Sequence, residues 1–289
     1  MKFGLNMPNW AGSPDPSVLV ELAVEAEAAG WDGFFIWDHT FHQFPVLDPW
    51  VLLTAVAVQT ERINIGTMVT PVPRRRPIKL ARETATLDNL SKGRLILGVG
   101  IGDMPWEWAY CGEEPSLKVR GEMLDEGLEI LTACWQGQPL RHQGKYYRAQ
   151  TDDSEELELL FTPGAYQNRK IPVWVGGFWP NKRPFRRAAN WQGVYPISEE
   201  YMSVEKIKDM MALISSHRES DDPFDVVVSV WSDHIPEGEV MGQVNAFAEA
   251  GVTWWIDSLD PWRFGWSDQS DEWPIMQIRK AIQQGPPQV

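Results

Sequence analysis

The chain has 289 residues, 43% of them hydrophobic and 23% charged, which places it with compact globular proteins. A formal net charge of −14 excludes nucleic acid and anionic membranes as partners, because their phosphates demand Lys and Arg. Two cysteines, Cys111 and Cys134, lack zinc or redox spacing, and no leader or spanning apolar run is visible, so a cytoplasmic protein is expected.

Phe3–Met7 predicts a first strand, broken by Pro8 and Gly12-Ser13-Pro14. Asp15-Pro16 opens a helix with a capping carboxylate and a proline at the first helical position, and Val18, Leu19, Leu22, Ala23, Ala26 and Ala29 share one face. Gly33–Trp37 is a second strand, stopped by Asp38-His39, and Asp48-Pro49 repeats the cap-and-proline device for a helix to about Thr60. Ile63–Val69, Ile78–Leu90 and the run into Gly98-Val99-Gly100-Ile101-Gly102-Asp103 read strand, helix, strand, with Arg74-Arg75-Arg76 in the first loop.

A helix over about Lys118–Trp135 follows, then an irregular insertion over 136–170 with the acidic run Asp152, Asp153, Glu155, Glu156 and Glu158. Pro172–Val175, Gly193–Tyr195, Asp225–Trp231 and Thr253–Leu259 are further strands; Asn181–Asn190, Ser203–Ser216, Val240–Ala250 and Asp271–Gln283 are helices. Residues 284–289 are expected to fray. Eight strand–helix pairs in one chain of this length predict a single-domain α/β fold, a (β/α)₈ TIM barrel.

Such barrels place their chemistry at the C-terminal ends of the strands. Those ends carry Asn6, Asp38, His39, Met68, Val69, Gly102, Asp103, Gly176, Gly177, Tyr195, Asp257 and Ser258, a polar and aromatic ring. His39 is suited to proton transfer near neutral pH, or to capping its loop. His42 beside it lacks a third ligand, so no metal is expected.

Gly98–Gly102 is not the dinucleotide fingerprint, because Asp103 occupies the third glycine position; the glycines permit close approach of backbone. Gly176-Gly177 followed by Lys182, Arg183, Arg186 and Arg187 predicts a phosphate site. Arg74–Arg76 could reach an anionic cofactor tail, bridge to a subunit, or lie in solvent. Trp10, Trp37, Trp106, Trp108, Trp179 and Trp231 could line an aromatic pocket or pack in the core.

Several of these motifs together resemble the luciferase-like flavin-dependent oxidoreductases. They are Gly66-Thr67 ahead of Val69, Pro77 with Leu80-Ala81, Ala85-Thr86-Leu87-Asp88-Asn89-Leu90-Ser91-Lys92-Gly93-Arg94, Leu97-Gly98-Val99-Gly100, Trp37-Asp38-His39, and Ile171-Pro172-Val173-Trp174-Val175-Gly176-Gly177. The resemblance implies a luciferase-like TIM-barrel enzyme, an oxidoreductase or monooxygenase acting on a small organic substrate with coenzyme F420 or FMN at the C-terminal mouth. It implies that Asp38, His39, Met68, Val69, Ile101, Gly102, Asp103, Gly176 and Gly177 surround the cofactor, with a cis peptide between Met68 and Val69; Arg183 of the basic helix is the further cofactor contact expected from the phosphate-site reading.

By the same resemblance His39 acts as acid or base, and Asp103 or the longer Glu107 takes the acid role that a glutamate has in some deazaflavin members. Asp38-His39 is closer to the deazaflavin branch; an FMN enzyme would call for a flavin reductase partner. A homodimer is expected, without nucleic acid or membrane partners. A glycosidase using two of Asp38, Asp103, Glu107 and Asp257 is the rival enzyme class, and a non-catalytic flavin-binding protein is the third reading.

Overall fold

A computed structural model describes residues 1–10, 15–137, 139–149, 160–167, 170–198, 202–236, 238–267 and 272–287. The elements in chain order are β1 (Lys2–Met7), α1 (Pro16–Ala28), β2 (Gly33–Ile36), α2 (Pro49–Gln59), β3 (Asn64–Pro71), α3 (Pro77–Leu90), β4 (Leu95–Gly100), α4 (Pro105–Tyr110) and α5 (Leu117–Trp135). There follow β5 (His142–Gln143), β6 (Arg148–Ala149), β7 (Val173–Phe178), α6 (Lys182–Ala188), β8 (Gly193–Ile197), α7 (Val204–Ser215), β9 (Asp225–Val230), α8 (Val240–Glu249), β10 (Trp254–Ser258) and α9 (Ile275–Gln283). All strands but the β5–β6 pair close into one parallel barrel, in the order β1-β10-β9-β8-β7-β4-β3-β2. The predicted (β/α)₈ barrel is the fold.

Capping chemistry sets the helix starts. The Asp15 carboxylate accepts from Ser17 N, Asp48 accepts from Trp50 N and Val51 N, and the Ser116 and Ser203 hydroxyls accept from Val119 N and Lys206 N. The outer core lies between the strands and the helix ring, with Leu22, Leu53, Leu80, Leu128, Ile207 and Ile278 among its buried members.

Inside the barrel sits a smaller cluster of Phe35, Met68, Ile96, Trp174, Tyr195, Val227, Trp254 and Ile256. Its rings fit because glycines stand beside them. A Cβ on Gly33 would lie 2.6 Å from the Phe35 ring and 2.8 Å from Trp254, and one on Gly193 would lie 2.4 Å from Trp174. Large and absent side chains alternate across the interior, which is how a narrow barrel reaches core density with three indole and phenyl rings.

Four local expectations change. α4 was not anticipated: it has only six residues, too few for a periodic signal, and starts at Pro105. The insertion contains the antiparallel β5–β6 hairpin, held to α5 by Glu126, which accepts from Tyr146 N and Tyr147 N and lies 3.0 Å from His142 Nε2. Its acidic run at 152–158 lies outside the described residues. The last helix starts at Ile275 rather than Asp271, because Trp273 precedes Pro274 and is biased away from helical backbone; Asp271 itself lies outside the described residues. Gly285–Pro287, expected to fray, is half-buried and lines a groove of ≈ 700 Å³ with Trp31, Met241 and Lys280.

Candidate active site

The C-terminal mouth is built from the segments after β2, β3 and β4. Asn9, fully buried after β1, clamps the first of them: its side-chain amide donates to the carbonyls of His39 (2.9 Å) and Leu47 (2.8 Å) and its oxygen accepts from His39 N (3.1 Å). The His39 backbone is thereby tied to the neighbouring strand end.

The His39 ring meets Glu107 of α4, with Nδ1 3.3 Å from Oε2. Glu107 is buried and holds three further donors: Thr40 N (2.6 Å), Phe41 N (3.0 Å) and Arg74 Nη1 (2.9 Å). Burial alone would raise its pKa, but the His39, Thr40 and Phe41 hydrogen bonds and the Arg74 charge outweigh it and hold the carboxyl at about 2. Glu107 is therefore a permanent carboxylate near neutral pH. The expectation that it stands in as a general acid is corrected: four donors fix it as an acceptor. It favours the Nδ1–H tautomer of His39.

Of the three arginines of the β3 loop, undecided from sequence, Arg74 and Arg75 are part of this wall and Arg76 is exposed. Arg74 binds Glu107 and, through Nε, Glu113 (3.2 Å). Arg75 Nη2 meets both oxygens of Asp38 (2.7 and 2.9 Å), and the Thr70 hydroxyl donates to the same carboxylate (2.7 Å). Asp38 is thus buried and engaged.

Trp108 is sandwiched between two guanidinium groups, Arg74 at 4.5 Å and Arg120 of α5 at 4.1 Å from ring centroids. Arg120 is 2% exposed and donates from Nη1 to the Gly102 carbonyl (3.3 Å). Burial and then the Arg74 charge push its pKa down. Arg74 Nη2, Arg75 Nε, Arg120 Nε and Trp108 Nε1 are buried donors with no partner among the described residues. Such a cluster of cationic and neutral donors suits an anionic group.

The second wall is the β3 bulge. Register slips between Thr67 and Thr70, and the Met68–Val69 peptide is cis. Met68 points into the barrel cluster, and half-buried Val69 seats into space left by three glycines. A Cβ would approach Val69 to 3.2 Å from Gly98, 2.8 Å from Gly100 and 2.9 Å from Gly176. Gly102 adopts φ +80°, and a Cβ there would lie 2.3 Å from Trp108, so both conformation and space demand glycine. Ile101 and Gly102 are half-buried, and Asp103 is exposed at the rim.

The phosphate site expected at Gly176-Gly177 loses most of its parts. Gly176 makes room for Val69, Gly177 faces Pro184, and α6 has only seven residues. Arg187 pairs with Asp125 and donates to the Gly121 carbonyl (3.1 Å), bracing α6 on α5. Lys182, Arg183 and Arg186 are exposed.

The tryptophans divide. Trp10 is buried among His42, Trp37, Phe44, Trp262 and Trp273, with the His42 ring stacked on it at 4.7 Å. Trp106 stands exposed on α4, and Trp254 fills the barrel. Among the described residues no group of three side chains could hold a metal ion, and no helix is long and apolar enough to cross a membrane.

The sequence matches a family model described as luciferase-like monooxygenase over residues 1–231. The F420-dependent glucose-6-phosphate dehydrogenase of Nakamurella multipartita is 34% identical over 172 residues, which is 57% of this chain and 48% of that protein. The chain spans about half the length of the curated relatives it matches. Among solved structures, monooxygenase RslO1 from Streptomyces bottropensis superposes with a TM-score of 0.74 at 18% identity, covering 98% of this chain and 97% of that one. The coenzyme F420-dependent tetrahydromethanopterin reductase of Methanopyrus kandleri gives 0.72 at 18% identity, covering 98% and 96%. At that identity the likeness concerns the fold.

Proposed function

Since the chain belongs to the luciferase-like monooxygenase family, we propose that it is an oxidoreductase that binds coenzyme F420 or FMN in the C-terminal mouth and acts on a small organic substrate. The observation that carries this reading is the His39–Glu107–Arg74 relay standing beside a set of buried, unpartnered donors.

The residues present fit such a cofactor. Arg120, Arg74 and Trp108 offer the orphaned donors for its phosphate-bearing tail, Gly102 gives the backbone room to approach, and Met68-Val69 with Gly100 and Gly176 form the wall for its ring. When bound, the cofactor supplies the hydride-transferring or oxygen-activating ring; the protein orients substrate and manages protons. His39 Nε2 takes or gives the proton at the substrate. Glu107 is a positioning residue that holds the tautomer and ring orientation, and the His39 hydrogen bond, the Thr40 and Phe41 amides and the Arg74 charge together keep it ionised. Asp103, at the rim, is the second carboxyl within this reading, and Arg183 is an outer contact for a polyanionic tail. The relatives named for F420 favour the deazaflavin branch; with FMN, a reductase partner would supply reduced flavin.

Two other readings lose ground. Three of the four carboxylates that a glycosidase would draw on are engaged, Asp38 by Arg75, Glu107 by Arg74, and Asp257 by Arg263 Nη1 (2.7 Å) and Ser232, which leaves exposed Asp103 without a second carboxylate to work with. A non-catalytic flavin carrier has no use for a histidine held by a buried carboxylate. A cytoplasmic homodimer remains part of the reading; α2, which bears no charged residue and exposes Val51 and Val58, is the face that would support an interface.

Fluorescence titration with F420 and with FMN tests the core of the proposal. Submicromolar binding of one identifies the branch, and binding of neither overturns it. Glucose 6-phosphate, named in the relatives, is the first substrate to assay. A His39→Ala variant is expected to bind cofactor normally and lose turnover.

A further inference from the structure

Apart from the Asn9 clamp after β1, the side of the mouth made by β8, β9, β10 and β1 takes no part in the machinery above. Its uppermost inward positions are polar where the interior below is apolar. Gly4 and Ile256 pack inward in register, so Asn6 and Ser258, two residues on and paired with each other, face inward as well. Ser229 follows Val227 in the same way, and Tyr195 belongs to the inner cluster. Three of them are linked: the Asn6 amide donates to Ser258 Oγ (3.5 Å), and the Ser258 and Ser229 hydroxyls lie 3.1 Å apart; Tyr195 of β8, next in the strand order, extends the arc.

One atom of the arc is unsatisfied. Asn6 is 2% exposed, yet its Oδ1 has no donor. A buried amide oxygen without a donor is destabilising, and a ligand O–H or N–H at the mouth removes that cost. The residues that fit the cofactor lie on β3, β4 and β7, across the barrel from the arc in the strand order. His39 follows β2, which neighbours β1 in the strand order.

The rim suggests the rest of the molecule. Phe41 and Tyr110 form a tilted ring pair at 5.0 Å and are 44% and 76% exposed, Trp106 is 46% exposed, and Trp262 is 41% exposed. Of the cations of the mouth, Arg75 is paired with Asp38, and the free donors of Arg74 and Arg120 are the ones assigned above to the cofactor tail, so none of the three is left for a substrate phosphate.

Resting on the oxidoreductase reading above, we infer that Asn6, with Ser258, Ser229 and Tyr195, is the substrate-binding floor, and that the substrate carries a hydroxyl on an apolar or aromatic frame, which donates to Asn6 Oδ1. A sugar phosphate fits this rim less well than an aromatic alcohol. Asn6 acts here as a specificity residue.

The test uses 1-phenylethanol and its methyl ether, which differ by the donor. Dissociation constants are measured by ligand-observed NMR on the full chain, with and without cofactor, and F420 and FMN affinities are measured in parallel by fluorescence. The wild-type chain is expected to prefer the alcohol by about tenfold, the worth of one buried hydrogen bond. Asn6→Ala and the smaller change Ser258→Ala should erase or reduce that preference while cofactor affinity stays within twofold; circular dichroism confirms that each variant is folded. No preference in the wild type overturns the inference. So does an Asn6→Ala variant that keeps the preference, or one that instead loses cofactor affinity, which would give the arc to the cofactor. Failure of wild-type chain to bind either cofactor sinks the oxidoreductase reading and leaves the alcohol preference to be read on its own.

Discussion

Two runs of basic residues stand out against the acidic background of this chain, and the barrel puts them to opposite uses. Arg74-Arg75-Arg76 follows β3, and its first two members turn inward onto Glu107, Glu113 and Asp38. Lys182-Arg183 and Arg186-Arg187 lie on α6, where Arg187 braces α5 and the other three face solvent. A basic run thus becomes a buried relay in one place and a largely solvated face in the other. The difference is the company at neighbouring strand ends: Asp38 follows β2 and Glu107 follows β4, on either side of β3, whereas the ends beside α6 offer Gly176, Gly177 and Tyr195.

The contrast predicts unequal costs. The largest is expected for Arg74→Ala, which strands the buried Glu107 carboxylate; breaking such a pair costs about 3–5 kcal/mol, read as a drop in the urea midpoint. A loss near that of a surface substitution would show that Arg74 is not the counter-charge.

Glu107 sets an acid limit. Its folded pKa of about 2 lies below the ordinary value of 4.5, so its contribution is present above pH 4.5 and is lost as pH falls toward 2. That difference corresponds to roughly 3 kcal/mol. Glu107→Gln should flatten the pH dependence of stability in that window and leave His39 less well oriented; an unchanged acid profile would contradict the assignment. The smallest effect is expected for Arg183→Ala, within about 0.5 kcal/mol by denaturation, as for exposed surface changes.

Much of the fold was legible because it follows local rules. Asp15-Pro16 and Asp48-Pro49 announce helix starts wherever they occur, and β-branched runs at regular spacing announce strands. The site was legible only in its members. His39 and Glu107 could both be named, but they are 68 positions apart, and nothing local says that one holds the other. Arg75 and Asp38 are 37 apart. A usable signal did exist: Glu107 is a lone carboxylate between Trp106 and Trp108, a composition that fits burial with a cationic partner, and the nearest run of arginines ends the adjacent strand. Arg120 gave no such warning, since an arginine on a helix is ordinarily solvated; only its burial against Trp108 shows otherwise. The glycines misled for a related reason. Gly98, Gly100 and Gly176 make close approaches as expected, but to Val69 of the same chain.

The central claim is that the buried guanidinium side of the mouth, rather than the α6 face, anchors the cofactor. Fluorescence titration of F420 and FMN against Arg120→Leu and Arg183→Leu, beside the wild type, tests it most directly. The expected result is at least a tenfold loss of affinity for Arg120→Leu, the scale of a lost charge-assisted hydrogen bond (about 1.5–3 kcal/mol), and a change under about twofold for Arg183→Leu. The reverse order, with Arg183→Leu the damaging change and Arg120→Leu neutral, would contradict it.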